Sequence, residues 1–212
     1  VSDLQSRGDK TDILQWLQVC DNGEAAFFAD DYRAFRDAEG DAEPEVTACD
    51  DDMLYIMYTS GTTGLPKGVV HTHHTAIWGL FSIAATANYN IPERFLACLP
   101  MFHVGALTPL AVNVYRGVTS VVMRSFDPVA AWKIIESEKI TSALCVPAML
   151  NFMVQVPNFE DFDRSTLRWI MTGAAPVPVA LTQHYQSMGI SIQQVYGLTE
   201  TCGPACLMDG EG

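Results

Sequence analysis

Residues 58–68 read Tyr-Thr-Ser-Gly-Thr-Thr-Gly-Leu-Pro-Lys-Gly. Thr59, Ser60, Thr62 and Thr63 supply hydroxyls, Gly61 and Gly64 break them up, and Lys67 brings a cation. The apolar run Met53-Leu54-Tyr55-Ile56-Met57 comes directly before them, so a strand feeds this loop. Backbone N–H groups and hydroxyls gathered in such a loop can surround phosphate oxygens. Gly61 and Gly64 permit the positive φ angles and the close backbone approach a cradle needs, and Lys67 adds a point charge. The loop is not G-x-x-x-x-G-K-[ST], which reserves its last hydroxyl for magnesium. Here Leu65-Pro66 separate Gly64 from Lys67, Gly68 follows the lysine, and Pro66 interrupts any helix starting at the loop. The competing reading is a Ser/Thr/Gly surface turn.

A second string, Gln194-Val195-Tyr196-Gly197-Leu198-Thr199-Glu200-Thr201, follows Ser191-Ile192-Gln193. Gly197 allows a tight turn. Tyr196 offers a flat face for a base, Thr199 a hydroxyl for phosphate, and Glu200 a hard oxygen ligand for Mg²⁺. An ordinary strand exit with a helix capped by Thr199 is the plainer alternative. Leu99-Pro100-Met101-Phe102-His103-Val104-Gly105 places His103 just after another strand. In Thr172-Gly173-Ala174-Ala175-Pro176 the small residues keep backbone close to a planar ligand. His71, His73 and His74 stand at the start of a helical pattern and read as caps or surface residues, and their spacing does not suit one zinc site.

These residues need elements to hold them. Strand-length apolar runs fall at 53–58, 94–99, 119–123, 142–146, 168–172 and 191–195, and helical patterns at 73–87, 105–115, 128–138, 147–154 and 178–187. Asp127-Pro128 is an N-cap followed by proline at the first helical position. Continuous apolar strands such as 119–123 and 143–146 point to burial on both faces. The alternation predicts an α/β fold, a mostly parallel sheet with right-handed crossovers and helices on both faces. Ligands on such folds bind beyond the carboxyl ends of the strands, where loops 59–68, 99–104, 172–176 and 196–201 are expected. Residues 30–36 read as an N-cap and a short helix, residues 13–19 equally as strand or helix, and 38–52 as an acidic loop.

The chain has 212 residues, 49% of them apolar and 17% charged, with a net charge of -13. Fifteen acidic and four basic residues lie in 1–52, against ten and eight in 53–212. The acidity therefore belongs to an irregular N-terminal segment, 1–52, and the near-neutral remainder, 53–212, forms the core domain. Without a basic patch, nucleic acid is excluded as the main partner. The six cysteines form no CxxC pair. Cys98 and Cys145 read as small core residues, and the set as reduced thiols of a cytoplasmic protein. No apolar run reaches the ~18 residues of a membrane span. The absent initiator Met and the end in Met208-Asp209-Gly210-Glu211-Gly212 read as a piece of a longer chain.

The two strings together resemble the signature loops of the adenylate-forming enzymes, the superfamily of acyl-CoA synthetases, luciferases and peptide-synthetase adenylation domains. The resemblance covers roughly residues 50–208. Tyr115-Arg116-Gly117, Phe126-Asp127-Pro128 and Val146-Pro147-Ala148-Met149 look like the branch acting on fatty or aryl acids. It implies a core piece of the large domain of an acid–CoA ligase. Such an enzyme uses ATP and Mg²⁺ to turn a small carboxylic acid into acyl-AMP, then passes the acyl group to coenzyme A. Thr59–Gly64 and Lys67 would hold phosphates. Tyr196, with Gly173, Ala174, Ala175, Gln194 and Gly197, would hold adenosine. Thr199 would touch phosphate, Glu200 would bind magnesium, and His103 would lie near the carboxylate. The family's ribose-binding Tyr/Thr-Gly-Asp segment and its C-terminal lid lysine have no counterpart here. The resemblance thus implies that the remaining polypeptide is a required partner and that these residues alone do not turn over. Two alternatives stay open, an adenylation domain loading a carrier-protein thiol and a non-catalytic nucleotide-binding module.

Overall fold

A computed structural model describes residues 12–20, 24–61, 64–86 and 93–208. The chain divides into two units, residues 1–47 and 48–212. In the first, strand β1 (Leu17–Gln18) lies parallel to β2 (Asp30–Asp31). Helix α1 (Tyr32–Ala38) follows at once, and the Asp31 carboxylate caps it by accepting from the Arg33 N–H at 2.7 Å. That is the N-cap and short helix the sequence predicts.

The second unit is built on six strands: β5 (Arg94–Ala97), β6 (Thr119–Val122), β7 (Ser142–Cys145), β8 (Trp169–Gly173), β9 (Ser191–Leu198) and β10 (Gly203–Leu207). Their order across the sheet is β10-β9-β8-β7-β5-β6. Every pair is parallel except β9–β10. Helix α3 (Val104–Arg116) crosses from β5 to β6. Helices α4 (Pro128–Ser137), α5 (Pro147–Val154) and α6 (Val179–Ser187) then make the crossovers to β7, β8 and β9. The chain steps from β5 to β6 in one direction and then builds β7, β8 and β9 in the other. Its direction therefore reverses between β5 and β7.

Alternating side chains along the strands feed two cores. Leu96, Cys98, Ala143, Cys145, Ile170 and Ile192 pack with Trp132, Leu150 and Tyr185 of α4, α5 and α6. Phe95, Ala97, Leu144, Trp169 and Met171 pack with Val112 of α3 and with Leu80 and Ile83 of α2 (His73–Thr86). The period-two division of a parallel sheet with helices on both faces is thus met. Local signals account for the helices. Asp127 accepts from the Ala130 N–H at 2.7 Å with Pro128 at the first turn, and α3 ends on Gly117 at φ 68, a left-handed stop that favours glycine. Two polar ties lock the three-helix face: Trp132 Nε1 donates to the Met153 carbonyl and the Tyr185 hydroxyl to that of Leu150, both at 2.9 Å.

The first predicted strand is not part of this sheet. Strand β3 (Met53–Thr59) pairs antiparallel with β4 (Lys67–Thr72), and the two form a separate hairpin. The strand β4 was not expected, nor was β10, which returns along β9. At the amino ends of the parallel strands, the buried Glu93 carboxylate pairs with Arg168 and accepts from the hydroxyls of Thr141 and Ser142. The opposite, carboxyl ends carry the loops after β5, β8 and β9 that the sequence marks as functional, but not loop 59–68. Among the described residues no helix is long and apolar enough to cross a membrane.

Candidate functional site

The hydroxyl-rich loop is the tip of the β3–β4 hairpin. Thr59 and Lys67 form its closing cross-strand pair. Gly61 has φ +64, and a Cβ there would stand 2.2 Å from the Leu65 carbonyl oxygen. Only glycine closes this turn without moving backbone. Gly64 also has positive φ, +87. Ser60, Gly64 and Lys67 are exposed, while Thr59 and Gly61 are half-buried. Thr62 and Thr63 lie outside the described residues. The loop therefore does not extend the parallel sheet, as its expected place beyond a sheet strand implied. It projects from an antiparallel ribbon, because 67–72 pairs locally with 53–59.

Strand register decides which side chains of the hairpin share a face. Tyr55 lies opposite His71, Met57 opposite Val69, and Thr59 opposite Lys67. With a period of two, these six point to one side. Met57 and His71 are buried, whereas Ile56, Tyr58 and Val70, which point the other way, are exposed. The inward face rests on the turn after β9. His71 Nε2 lies 2.9 Å from the Thr199 carbonyl oxygen. The Tyr55 hydroxyl lies 3.5 Å from Cys202 Sγ, and burial, followed by that contact, raises the tyrosine's pKa. The surface reading of His71 is thereby overturned, since its side chain is 2% exposed. His74 is exposed at the start of α2, as expected, and His73 is half-buried there.

Thr199–Thr201 form a single 3₁₀ turn. The Thr201 hydroxyl accepts from the Leu198 N–H at 2.9 Å and sits within 2.6 Å of the Gly203 carbonyl oxygen. Cys202, buried and at φ 58, closes the turn. Its carbonyl accepts from the Thr108 hydroxyl of α3 at 3.1 Å. Glu200 is exposed at the crest and Thr199 half-buried. Tyr196, 62% exposed, presents its ring to solvent from within β9.

Gly197 does not make the tight turn expected of it. It lies in β9 opposite Pro204, where a Cβ would meet the Gly203 oxygen at 2.2 Å. Glycine is required there by the close approach of β10. Gly173 ends β8 under the same constraint, its hypothetical Cβ 2.2 Å from the Val195 oxygen. Ala174 turns the chain at φ 67, and Ala175 is exposed beyond it. Gln194, half-buried, pairs with Thr172 on the neighbouring strand. The strings 172–176 and 194–201 are thus brought side by side by the β8–β9 pairing.

His103 is exposed at the N-cap position of α3, its ring 4.6 Å from that of Phe102. The loop it ends leaves β5 where the sheet reverses direction, the usual ligand-binding crevice of open α/β sheets. A cavity of about 280 Å³ separates this loop from the hairpin, with Tyr55 to Tyr58 on one wall and Met101, Phe102 and Leu107 on the other. A larger hollow, about 860 Å³, opens between α5 and α6. It is lined by none of the residues assigned to nucleotide, magnesium or carboxylate, so size alone does not mark the site.

Sequence reasoning missed Tyr55, His71, Thr201 and Cys202. The one local signal for His71 was its place two residues after Val69, which a strand reading of 67–72 would have put on the same face. Among the described residues no group of three or more His, Cys, Asp or Glu could cage a metal. A lone exposed carboxylate such as Glu200 fits a magnesium ion that keeps waters and substrate phosphates as its other ligands.

A family model described as AMP-binding enzyme matches residues 4–212. The long-chain-fatty-acid–CoA ligase FadD13 of Mycobacterium tuberculosis (strain ATCC 25618 / H37Rv) is 46% identical over 169 residues, 80% of this chain and 34% of that protein. The inhibitor-bound crystal structure of the N-terminal domain of FACL13 from Mycobacterium tuberculosis matches with a TM-score of 0.80 at 45% identity, over 84% of this chain and 45% of that one. O-succinylbenzoate coenzyme A synthetase (MenE) from Bacillus subtilis, in complex with ATP and magnesium ion, matches with a TM-score of 0.72 at 30% identity, over 82% and 36%. The chain spans about a third of the length of the curated relative it matches.

Proposed function

The chain belongs to the AMP-binding enzyme family, and from that premise we propose that the full-length protein is an acid–CoA ligase. It would use ATP to activate a fatty or aryl carboxylic acid as acyl-AMP and then form the coenzyme A thioester. The supporting observation is the register of the hairpin: Thr59 and Lys67 share a face with Tyr55 and His71, and that face meets the Thr199–Cys202 turn. The two strings that the sequence suggests for one nucleotide are therefore parts of one structure.

In this reading a carboxylate oxygen attacks the α-phosphorus, the bond to the β-phosphate breaks, and pyrophosphate leaves. Two anions must meet, so fixed donors and cations have to offset their repulsion and the charge that grows on phosphorus. Ser60, the N–H groups around Gly61 and Gly64, and the Lys67 ammonium would hold the departing phosphates. The Thr199 hydroxyl would orient the α-phosphate. Glu200 would hold magnesium, which when bound supplies charge neutralisation at the phosphate oxygens. Tyr196 would stack on adenine, with Gly173, Ala174 and Ala175 keeping backbone close to its edge. His103, beside the cavity at Phe102, would orient the carboxylate, and positioning of this kind contributes several kcal/mol. The coenzyme A thiol then attacks the acyl carbon and AMP leaves. A cytoplasmic setting belongs to the same proposal, since all six cysteines are unpaired.

The test incubates the full-length protein with ATP, Mg²⁺, coenzyme A and a panel of fatty and aromatic acids, measuring AMP. Release is expected to require one of the acids. Lys67→Ala or Glu200→Ala is expected to lower it by at least about 10²-fold, the loss typical of a transition-state charge contact. Absence of AMP with every acid, or full activity in both variants, overturns the proposal.

A further inference from the structure

We propose that His71 is a positioning residue for the phosphate-handling turn, acting through the Thr199 backbone and supported by its cross-strand partner Tyr55. The inference rests on the acid–CoA ligase reading and assigns a role to a side chain outside the two strings.

The imidazole is 2% exposed and its Nε2 faces the Thr199 carbonyl at 2.9 Å. A carbonyl only accepts, so Nε2 carries the proton and donates. The same oxygen takes the Cys202 N–H at 3.1 Å, the bond that closes the 3₁₀ turn. His71 therefore grips the turn at the atom holding it shut. It does so from Thr199, whose hydroxyl is assigned to phosphate, one residue before Glu200. The Tyr55 ring lies 5.0 Å from the imidazole, tilted by 42°. It limits the orientations open to His71, and its hydroxyl adds a second tie at Cys202 Sγ.

Lever and load are continuous. From the Tyr55–His71 pair the same face of the same two strands runs to Thr59 and Lys67, about 14 Å along the ribbon at the usual strand rise. A two-stranded ribbon is marginally stable by itself, so its tip is placed by whatever fixes its root. The buried donor is costly to leave unpaired, by about 1–3 kcal/mol, which makes the docked arrangement discrete. His71 thereby sets the distance between the cationic loop and the turn bearing Glu200, a distance that matters only once a nucleotide bridges the two.

The experiment uses the full-length protein and ATP–pyrophosphate exchange with a turned-over acid. It compares His71→Leu, His71→Gln and His71→Asn. The glutamine amide nitrogen reaches about as far as Nε2, whereas that of asparagine stops at the depth of Nδ1. His71→Leu and His71→Asn are expected to lower kcat for exchange by about 10- to 100-fold, in line with a displacement of about 1 Å. The KM for the acid should stay within about twofold, because His71 itself does not line the cavity beside Phe102. His71→Gln is expected to recover most of the rate. Equal activity of the glutamine and asparagine variants overturns the positioning role, even where the leucine variant does not fold. So does an unchanged kcat in His71→Leu. Glu200→Ala, run alongside, separates the two claims: an inactive Glu200→Ala with a normal His71→Leu removes only the role of His71, while a fully active Glu200→Ala removes the ligase reading beneath it.

Discussion

Gly197→Ala perturbs the site by a single methyl group whose effect can be worked out from distances. The new Cβ would stand 2.2 Å from the Gly203 oxygen, 2.7 Å from its carbonyl carbon and 3.0 Å from the Pro204 Cα. All three are backbone atoms, so no rotamer change relieves the clash. Carbon and oxygen need more than about 3.2 Å, and strands β9 and β10 must part locally by about 1 Å. Ladder bonds near 2.9 Å do not survive that stretch. Losing one or two of them costs about 1–2 kcal/mol, or a Tm drop of roughly 2–8 °C for a domain of this size. The effect on rate is larger, because Tyr196 and Thr199 flank the displaced residue and both are assigned to the nucleotide. A shift of about 1 Å costs on the order of 10²-fold. Pyrophosphate exchange and thermal melting of the full-length protein read the two effects separately. Gly40→Ala is the control, since its Cβ would meet nothing within 4 Å and its φ is not positive. Exchange within about threefold of wild type, with an unchanged Tm, would show that the close approach of β10 to Gly197 is not what positions this turn.

Other predictions concern stability. Arg168→Ala removes the guanidinium that pairs with the buried Glu93 carboxylate. The expected loss is about 2–3 kcal/mol, below the usual range for a broken buried pair because Arg168 is half exposed and Thr141 and Ser142 still donate; urea denaturation measures it. Asp127→Ala removes the cap on α4, and a loss of about 1 kcal/mol should appear in the same curves. Burial raises the pKa of Tyr55 and Tyr185, so both favour the neutral phenol when folded. That contribution is whole below the unfolded tyrosine value near pH 10 and is lost as pH rises toward the folded values. Tm should therefore fall between about pH 10 and 11, and less steeply in Tyr185→Phe; an equal slope in that variant would remove Tyr185 ionisation as a cause.

Legibility followed the range of the interactions. The caps Asp31, Asp127 and Gly117 act within a few residues, so the helices near 32–38, 104–116 and 128–137 could be read in one dimension. Continuous apolar runs such as Ser142–Cys145 announced strands covered on both faces. The order of strands and helices, and hence the doubly covered sheet, follows from the same local patterns. So does the chemistry on offer at Thr59, Lys67, Tyr196 and Glu200, because hydroxyl, ammonium, ring and carboxylate keep their character wherever the chain takes them.

What the folded molecule alone decided was pairing and proximity. Residues 53–59 could have entered the parallel sheet; their antiparallel partner 67–72 took them out of it, and a strand's partner is not encoded in the strand itself. His71 looked like a surface residue because its partner, the Thr199 carbonyl, is 128 positions away. Gly197 looked like a tight-turn glycine because the atom that forbids a side chain there, the Gly203 oxygen, reaches it only across the β9–β10 hairpin. A sequence specifies which groups are present and which backbone shapes are cheap, but steric exclusion and hydrogen bonding act at about 3 Å, and only the fold determines which distant atoms come that close.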